Sequence, residues 1–508
     1  MTAAAGFDKV ASMGADPNQL PGTRAHPGGL SSCIERETKL SVDEEFRLPP
    51  LPGKPLPPRL LTSTYYDTAD FRLARGRITL RRRVEQGKGL WQMKLPFEDG
   101  RRELEIPGPP GVLPPVLREL LIAHLRGKNV RPVATLRMRR TGVRARGPAG
   151  PVADVVLDVV TVIKDGRVVN RFRELELEWR ITDQALMDHL EQTLRKAGAT
   201  DHDGRPKLFQ ALGRPPRSHP PPKPNAPIAA HLAFILAQRL KALLARDPGT
   251  RLGGEPEDLH QMRVATRRLR SVLRVARPLL DPKWTEPLRA ELDWLGQLLG
   301  PARDLDVQIA YFTEEAATLK SRDRQPLERF IHQLQRERAA AQHKLLEGLR
   351  SPRYLKLIDA LVQATRALPV VVSDLTLDRL AAEQFTRLRK TMKRLKRSPS
   401  DEELHELRIK TKRARYAAEL AKVSVGKPAA RFAKRAMQFQ DLLGAHQDAV
   451  LAENYIRAFV AKATGLRAAF VAGRMVERQR QRRQAARASL AAHWKKLKRQ
   501  GKKVWSAA

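Results

Sequence analysis

Carboxylates recur at every second position in two segments of this sequence. The first segment holds Glu35, Glu37 and Lys39, and the second holds Glu174, Glu176 and Glu178. In a β-strand, residues two apart point to the same side. Each segment therefore predicts a row of charged groups on one strand face. Buried carboxylates in a row repel one another, and divalent cations such as Mg²⁺ or Mn²⁺, which prefer hard oxygen ligands, relieve that repulsion.

Basic residues alternate in the same way in two further segments. Arg81 and Arg83 share one face of a predicted strand, as do Arg137 and Arg139, and Lys94 adds a cation in a neighbouring run. Guanidinium groups suit phosphate oxygens because they form paired hydrogen bonds. An ordinary charged outer face explains any one such strand, but four of them together favour a common site. Acidic and basic rows that share a face have the composition that phosphoryl transfer requires.

A different spacing of basic residues occurs twice in the second half of the sequence. The first copy holds His260, Arg263, Arg267 and Arg270, and the second holds His405, Arg408, Lys412 and Arg415. Positions 0, 3, 7 and 10 of an α-helix fall within an arc of roughly 80°. Each copy therefore predicts a cationic stripe on one helix face. Such a stripe is self-repulsive without an anion, so its repetition favours polyanion binding over a solvated surface.

A second motif follows each stripe about forty residues later. It reads LGPARD at 299–304 and LGAHQD at 443–448, which indicates an internal repeat. Arg303 extends the basic set of the first copy, whereas Gln447 stands at the corresponding position of the second. The aspartates of these motifs are interpreted as helix caps or arginine partners in preference to metal ligands; they are Asp304, Asp306 and Asp448.

The elements that must position these residues differ between the two halves. Before residue 214, short β-branched and alternating runs separated by turn signals predict strands, and alternate charges predict an antiparallel sheet closed into a barrel with a polar interior. After residue 227, apolar residues three and four apart predict helices throughout. The sequence RPPRSHPPPKPNAP at 214–227 predicts an extended linker.

The composition limits the possible functions. The 95 Lys and Arg against 55 Asp and Glu give a net charge of +40, which attracts a polyanion such as nucleic acid, an anionic membrane or a phosphate polymer. Aromatic residues are only 5%, so base stacking is poorly supported. Cys33 is the only cysteine, which excludes an intrachain disulfide and indicates a reducing cytoplasm. Residues 1–31 lack the pattern of a secretory signal and are expected to be a disordered leader, and no apolar run approaches the roughly 18 residues of a membrane helix.

The first half resembles the CYTH superfamily of triphosphate tunnel metalloenzymes. The resemblance rests on Glu35-x-Glu37-x-Lys39, YYDT at 65–68, LRRR at 80–83, WQMKLP at 91–96 and ELELE at 174–178. It implies an eight-stranded antiparallel tunnel over residues 32–213 that binds a triphosphate and two divalent metals. The metal ligands it implies are Glu35, Glu37, Asp158, Glu174, Glu176 and Glu178, and Glu35, Glu37 and Lys39 take catalytic roles. The implied triphosphate ligands are Lys39, Arg81, Arg83, Lys94, Arg137, Arg139 and Lys207. Lys207 follows Pro206, which departs from the serine-lysine pair of the family.

The second half resembles the CHAD domain, a conserved histidine α-helical domain, in both stripes and in LGPARDLD at 299–306. The resemblance implies two pseudo-symmetric helical bundles over residues 228–500 that bind inorganic polyphosphate and perform no catalysis. The implied polyphosphate ligands are His260, Arg263, Arg267, Arg270, Arg303, His405, Arg408, Lys412 and Arg415. Gln447 leaves open whether both copies contribute equally.

Together these features predict a two-domain α+β protein that acts as a metal-dependent inorganic triphosphatase with a polyphosphate-binding helical domain. Two alternatives stay open, a non-catalytic polyphosphate-binding protein and an adenylyl cyclase, because the CYTH superfamily includes cyclases. Tripolyphosphate, thiamine triphosphate and nucleotides stay open as substrates, and Mg²⁺ and Mn²⁺ as metals. We expect a cytoplasmic protein associated with polyphosphate granules, with neither sequence-specific nucleic acid nor a membrane as its partner.

Overall fold

The computed structural model describes residues 23–97, 100–213, 220–223, 225–371, 374–462 and 465–505. The chain divides into two compact units, Met1–Ser218 and His219–Ala508. The first contains a large antiparallel sheet and the second is helical, so the fold is of the mixed α+β type. Residues 214–219 and 224 of the predicted linker lie outside the described residues.

Unit 1 consists of one sheet with short helices on its connections. Its strands are β1 (Arg24–His26), β2 (Leu30–Glu35), β3 (Glu37–Ser41), β4 (Gly53–Asp67), β5 (Thr79–Glu85), β6 (Lys88–Phe97), β7 (Gly100–Pro107), β8 (Arg131–Gly147), β9 (Gly150–Lys164), β10 (Arg167–Trp179) and β11 (Thr200–Asp201). Its helices are α1 (Arg72–Arg75), α2 (Pro115–Leu120), α3 (Ile122–Leu125), α4 (Gln184–Lys196) and α5 (Lys207–Leu212), with a 3₁₀ turn at Pro27–Gly29.

The strands pair in the order β1-β2-β7-β6-β5-β4-β8-β9-β10-β3-β11. The predicted eight-stranded closed barrel is not confirmed, because the sheet has eleven strands and is open between β1 and β11 within the described residues. Arg36 alone separates β2 from β3, although β2 pairs with β7 and β3 pairs with β10 near the opposite end of the order. One residue spans roughly 3.5 Å, so the sheet must curve until β2 and β3 lie end to end.

The predicted leader overlaps this sheet. Residues 1–22 lie outside the described part of the chain, but β1 begins at Arg24 and β2 at Leu30. Gly28 and Gly29 have φ angles of 77° and 76°, a region that favours glycine, and they close the turn between the two strands. Residues 24–31 of the predicted leader therefore form part of a hairpin.

Helix α4 packs on the apolar face of strands β9 and β10. Its apolar residues Met187, Leu190 and Leu194 pack against alternate residues of β9 and β10, including Val155 and Leu175. Asp183 caps the helix by accepting a hydrogen bond from the Leu186 backbone N–H. Because neighbours along a strand point to opposite sides, the charged residues between these apolar ones point away from α4.

Unit 2 consists of long helices. They are α6 (Ile228–Leu252), α7 (Pro256–Val275), α8 (Pro282–Ala317), α9 (Ser321–Arg350), α10 (Pro352–Ala364), α11 (Leu377–Arg394), α12 (Asp401–Val425), α13 (Lys427–Lys462) and α14 (Leu466–Trp505), with a 3₁₀ turn at Arg277–Leu279. Consecutive helices pack together in two series, α6–α10 and α11–α14, and α7 packs against α12.

The motifs at 299–304 and 443–448 are helical throughout. Each lies inside a continuous helix of 36 residues, α8 in the first repeat and α13 in the second. Pro301 and Gly300 disfavour a helix locally, but Leu299, Gly300 and Ala302 are buried, and their packing outweighs that preference. Asp304 and Asp448 are therefore not N-caps, and Asp304 instead accepts a hydrogen bond from Arg263 at 2.8 Å.

Helix α6 is long and apolar enough to cross a membrane by length and composition, with a mean hydropathy of 1.5 over 18 residues. Its buried residues include Leu232, Leu236, Leu240 and Leu243, which recur every three or four positions. The helix packs against α7. One such helix is weak evidence for a span, since a core helix meets the same criteria.

Candidate functional site

The sheet of unit 1 encloses a cavity of about 930 Å³. Residues from every strand between β2 and β10, together with α5, line it. The predicted residues that line it are Glu35, Glu37, Lys39, Arg81, Arg83, Lys94, Glu176, Glu178 and Lys207. Acidic and basic rows from separate strands thus face one enclosed space.

Glu35 and Glu37 reach the cavity from the two strands that Arg36 connects. Glu35 is only 6% exposed, and Lys94 donates a hydrogen bond to its Oε2 atom. Glu37 Oε1 lies 3.4 Å from Lys39 Nζ. Both carboxylates therefore lie beside a lysine at the cavity wall, as their alternation predicts.

Lys39 and Lys207 converge on the carboxylates of β10. Lys207 Nζ lies 2.7 Å from Glu176 Oε1, 2.9 Å from Glu174 Oε1 and 3.0 Å from Asp158 Oδ2. Lys39 Nζ donates to Glu174 Oε1 at 2.6 Å and also to Glu176. Burial alone would lower the pKa of Lys207, but the carboxylates, that of Glu176 most, raise it well above its usual value. For Glu176, burial alone would raise the pKa, and the two lysines lower it well below the usual range.

The prediction for β8 was wrong by one residue. Arg137 and Arg139 are exposed, whereas Leu136 and Met138 are buried in a cluster with Tyr65 and Val160. The inward face of β8 therefore carries the even-numbered residues. Arg140, which the sequence interpretation missed, lines the cavity instead of Arg137 and Arg139.

Arg140 of β8 forms hydrogen bonds with carboxylates of β9 and β10. Its Nε atom donates to Asp158 Oδ1 at 2.8 Å, its Nη2 atom to Glu176 Oε2 at 2.8 Å and its Nη1 atom to Glu178 Oε1 at 2.5 Å. Burial alone would lower the pKa of Arg140, but these carboxylates, that of Asp158 most, raise it well above its usual value. Burial raises the pKa of Glu178, although Arg140 opposes this.

Strand β7 supplies residues that the sequence interpretation also missed. Arg101, Glu103 and Glu105 alternate along it and line the cavity, so the period-two pattern of GRRELEIP was the available signal. Glu103 is 6% exposed, and its Oε1 atom has no hydrogen-bond partner among the described residues. The nearest cation is Lys94, whose Nζ atom is 3.8 Å from Glu103 Oε2.

The carboxylates that line the cavity suit a divalent metal by donor chemistry. Glu35, Glu37, Glu176 and Glu178 offer only oxygen ligands, which Mg²⁺ and Mn²⁺ prefer. Within the described residues, no three acidic, His or Cys side chains are clustered closely enough to hold an ion as they stand. The predicted ligands Asp158 and Glu174 are fully buried and bind Lys207, and neither lines the cavity.

Replacing Lys207 with methionine should destabilise unit 1. The change leaves Asp158, Glu174 and Glu176 buried with one cation fewer, and removing one partner of a buried ion pair costs about 3–5 kcal/mol. The free energy of unfolding, followed by far-ultraviolet circular dichroism in urea, measures the effect. The matched control Lys196→Met, at an exposed lysine, should change it little. A loss below about 1 kcal/mol for Lys207→Met would contradict a buried charge network.

In unit 2 the two predicted stripes meet between α7 and α12. Arg267 from α7 acts electrostatically on both Arg408 and Lys412 of α12, and Arg415 acts on Lys412 from the same helix. We call these four residues the α7–α12 seam. Burial, and then the neighbouring arginines, lower the pKa of Lys412 to about 7, with Asp448 as the opposing carboxylate. This concentration of positive charge favours an anion.

The other members of the stripes have individual partners. Arg263 is paired with Asp304 and Arg270 with Asp293. Burial, followed by Arg303, lowers the pKa of His260. In the second repeat, His405 Nδ1 lies 2.8 Å from Gln447 Oε1. The repeats therefore differ at the position where Gln447 replaces an arginine.

Comparison with known proteins gives matches in both units. Residues 33–204 match the CYTH domain family and residues 234–457 match the CHAD domain family. An uncharacterized protein from Mycobacterium tuberculosis is 29% identical over 513 residues, covering 91% of this chain and 96% of its own length. PptA from Streptomyces chartreusis is 22% identical with a TM-score of 0.45, covering 53% of this chain and 100% of its own. A CHAD domain from the plant Ricinus communis is 25% identical with a TM-score of 0.42, covering 54% and 98%.

Proposed function

This chain carries a CYTH domain followed by a CHAD domain, and from that we propose that it is a metal-dependent inorganic triphosphatase whose helical unit binds polyphosphate. The observation that carries the proposal is the cavity of unit 1, in which carboxylates and cations from separate strands face one enclosed space. Carboxylates suit metal ions, and the cations suit phosphate oxygens. We place the protein in the cytoplasm, in association with polyphosphate granules.

In this proposal Glu35, Glu37, Glu176 and Glu178 hold the metal. A bound divalent cation would neutralise the charge that develops on the phosphates during transfer. Arg81 is oriented for phosphate by Gln92 and Tyr65, because its Nε atom donates to Gln92 Oε1 at 2.8 Å and its Nη1 atom to the Tyr65 hydroxyl at 3.2 Å.

Three further cations and one carboxylate complete this arrangement. Arg83, Lys94 and Arg140 bring additional positive charge to the cavity. The Oε1 atom of Glu103 is buried, forms no hydrogen bond to a described residue and lies 4.0 Å from Arg81 Nη2. In this proposal the Glu103 carboxylate would rotate toward the cavity to accept a hydrogen bond from the attacking water.

The polyphosphate-binding part of the proposal is supported by the α7–α12 seam. A phosphate polymer supplies negative charge along its whole length, which relieves the repulsion among Arg267, Arg408 and Lys412.

The cavity lining favours inorganic triphosphate over a nucleotide. Tyr65 is the one aromatic residue among the described residues that line it, and its hydroxyl already accepts a hydrogen bond from Arg81. A purine or pyrimidine ring would find no second aromatic surface on which to stack. This disfavours the adenylyl cyclase alternative.

Phosphate release and cyclic AMP formation test the assignment. We expect the full chain to release phosphate from tripolyphosphate with Mg²⁺ or Mn²⁺, with less release from thiamine triphosphate or ATP. EDTA should abolish the release. Tight polyphosphate binding without turnover under either metal would instead establish the non-catalytic alternative, and cyclic AMP from ATP would establish the cyclase.

Polyphosphate binding should weaken as pH rises through neutrality. A bound polyanion stabilises the charged form of Lys412 and raises its pKa, so above a free pKa of about 7 binding must take up a proton. The affinity for short polyphosphate should fall roughly fiftyfold between pH 7 and pH 9. Lys412→Arg keeps the charge and should show a much flatter profile. Equal slopes for the wild type and the variant in isothermal titration calorimetry would contradict this role for Lys412.

A further inference from the structure

Two runs of cations without an acidic residue lie in α14 and in α11 with the six residues that follow it. Residues 478–505 contain eleven Lys and Arg, and residues 384–400 contain seven, with no Asp or Glu in either run. The whole chain has 55 acidic residues in 508. At that frequency, the 45 positions of the two runs together would contain several acidic residues. These runs lie outside the α7–α12 seam.

The first cations of the α14 run are neutralised locally. Arg478 pairs with Glu315, Arg483 with Glu453 and Arg487 with Asp401, each at 2.6 Å. Other exposed cations of the two runs lack such partners. Lys390, Lys393, Arg394, Lys495, Lys498 and Lys502 form no ion pair with a described residue.

The two runs lie on adjacent helices. Gly501 of α14 approaches Phe385 of α11 so closely that a Cβ atom at 501 would lie 2.2 Å from the ring. Lys495, Lys498 and Lys502 are three and four residues apart, so they share one side of α14. We call these three lysines, on the helix that packs against α11, the α11–α14 surface.

We propose that the α11–α14 surface is a second binding site for inorganic polyphosphate, which engages chains too long for the α7–α12 seam alone. The proposal rests on the proposed function of the seam. Exposed cations without carboxylate partners repel one another, and a polyanion that releases its counterions relieves that repulsion. Two sites on one polymer bind with a higher effective concentration than either alone.

The surface suits a phosphate polymer better than RNA or a membrane. Trp505 is buried against Phe432, and Trp494 is half-buried with its ring tilted against Phe439, so neither tryptophan is an exposed platform for a base. In the described residues, α11 and residues 477–505 expose no large hydrophobic side chain. Insertion into a membrane interface requires such side chains.

The test compares short and long polyphosphate, on the order of ten and several hundred phosphates, with the full chain. In Lys495→Gln/Lys498→Gln/Lys502→Gln the affinity for long chains should fall at least about tenfold, while that for short chains is unchanged. The slope of log K against log salt for long chains should become less steep by about 2. The matched control, Lys320→Gln/Lys344→Gln/Lys356→Gln, removes three exposed lysines on α9, its N-cap and α10, and should behave as the wild type.

The outcomes separate this inference from the proposed function. If the wild type binds both lengths and the α14 variant binds long chains equally well, the second site is overturned while the seam stands. If the wild type binds neither length, the proposed polyphosphate binding fails, and this inference fails with it. If the variant loses single-stranded RNA but keeps long polyphosphate, the surface serves a different polyanion and the proposal is overturned.

Discussion

Replacing Glu35 and Glu37 together with glutamine is expected to abolish metal-dependent phosphate release from tripolyphosphate, lowering kcat by at least about 10³-fold. Glutamine keeps the size of each side chain and can still accept a hydrogen bond from Lys94, but it removes two negative charges. The two proposed metal ligands that remain, Glu176 and Glu178, are paired with Arg140. The metal then lacks the charge of two of its four proposed ligands.

Steady-state phosphate release at saturating Mn²⁺ measures this loss, and Mn²⁺ binding by electron paramagnetic resonance provides a readout besides activity. The control Glu44→Gln/Glu45→Gln removes the same charge from two exposed positions and should leave both readouts unchanged. Wild-type circular dichroism in both variants would establish that the fold is intact. Retention of more than about a tenth of the activity in Glu35→Gln/Glu37→Gln would defeat the catalytic assignment.

Removing three cations of the α7–α12 seam, in Arg267→Gln/Arg408→Gln/Lys412→Gln, is expected to weaken short-polyphosphate binding about a thousandfold. Each charge-assisted hydrogen bond to phosphate contributes roughly 1.5 kcal/mol or more, and three such losses correspond to about three powers of ten in the dissociation constant. The variant relieves the repulsion among these cations but also removes both cations that stabilise the Asp448 carboxylate. Wild-type circular dichroism of the variant would therefore establish that its fold is intact.

Titration calorimetry with a short polyphosphate, at one fixed salt concentration, measures the loss. The triple control at Lys320, Lys344 and Lys356 has the same change in net charge at exposed positions, so it corrects for the general electrostatic attraction of a chain with a charge of +40. An equal loss in both triple variants would mean that short polyphosphate is bound by overall charge and not by the seam. Unchanged tripolyphosphate hydrolysis in the seam variant would show that the two units act separately.

Local periodicity was sufficient to predict the rows of charge but not their direction. The alternation of Glu35 with Glu37 predicts a shared strand face, and the structure places both at the cavity. The same rule grouped Arg137 with Arg139 correctly, yet those residues face outward and Arg140 faces inward. In a sheet with a polar interior, alternation states which residues share a face, but the pairing of β8 with β4 and β9 decides which face is enclosed.

Packing also overrode local signals in the helical unit. Gly300 and Pro301 predict a break, but α8 continues through them because their neighbours are buried in the bundle. The sequence alone determined the two units, the internal repeat, the carboxylate rows and the cationic stripes, because these follow from composition and from periods of two or 3.6 residues. Only the tertiary structure brought Lys207 to three carboxylates of β9 and β10, and Arg267 to Lys412. Those contacts join segments far apart in the chain, and their partners are chosen by strand register and helix packing, which no local pattern specifies.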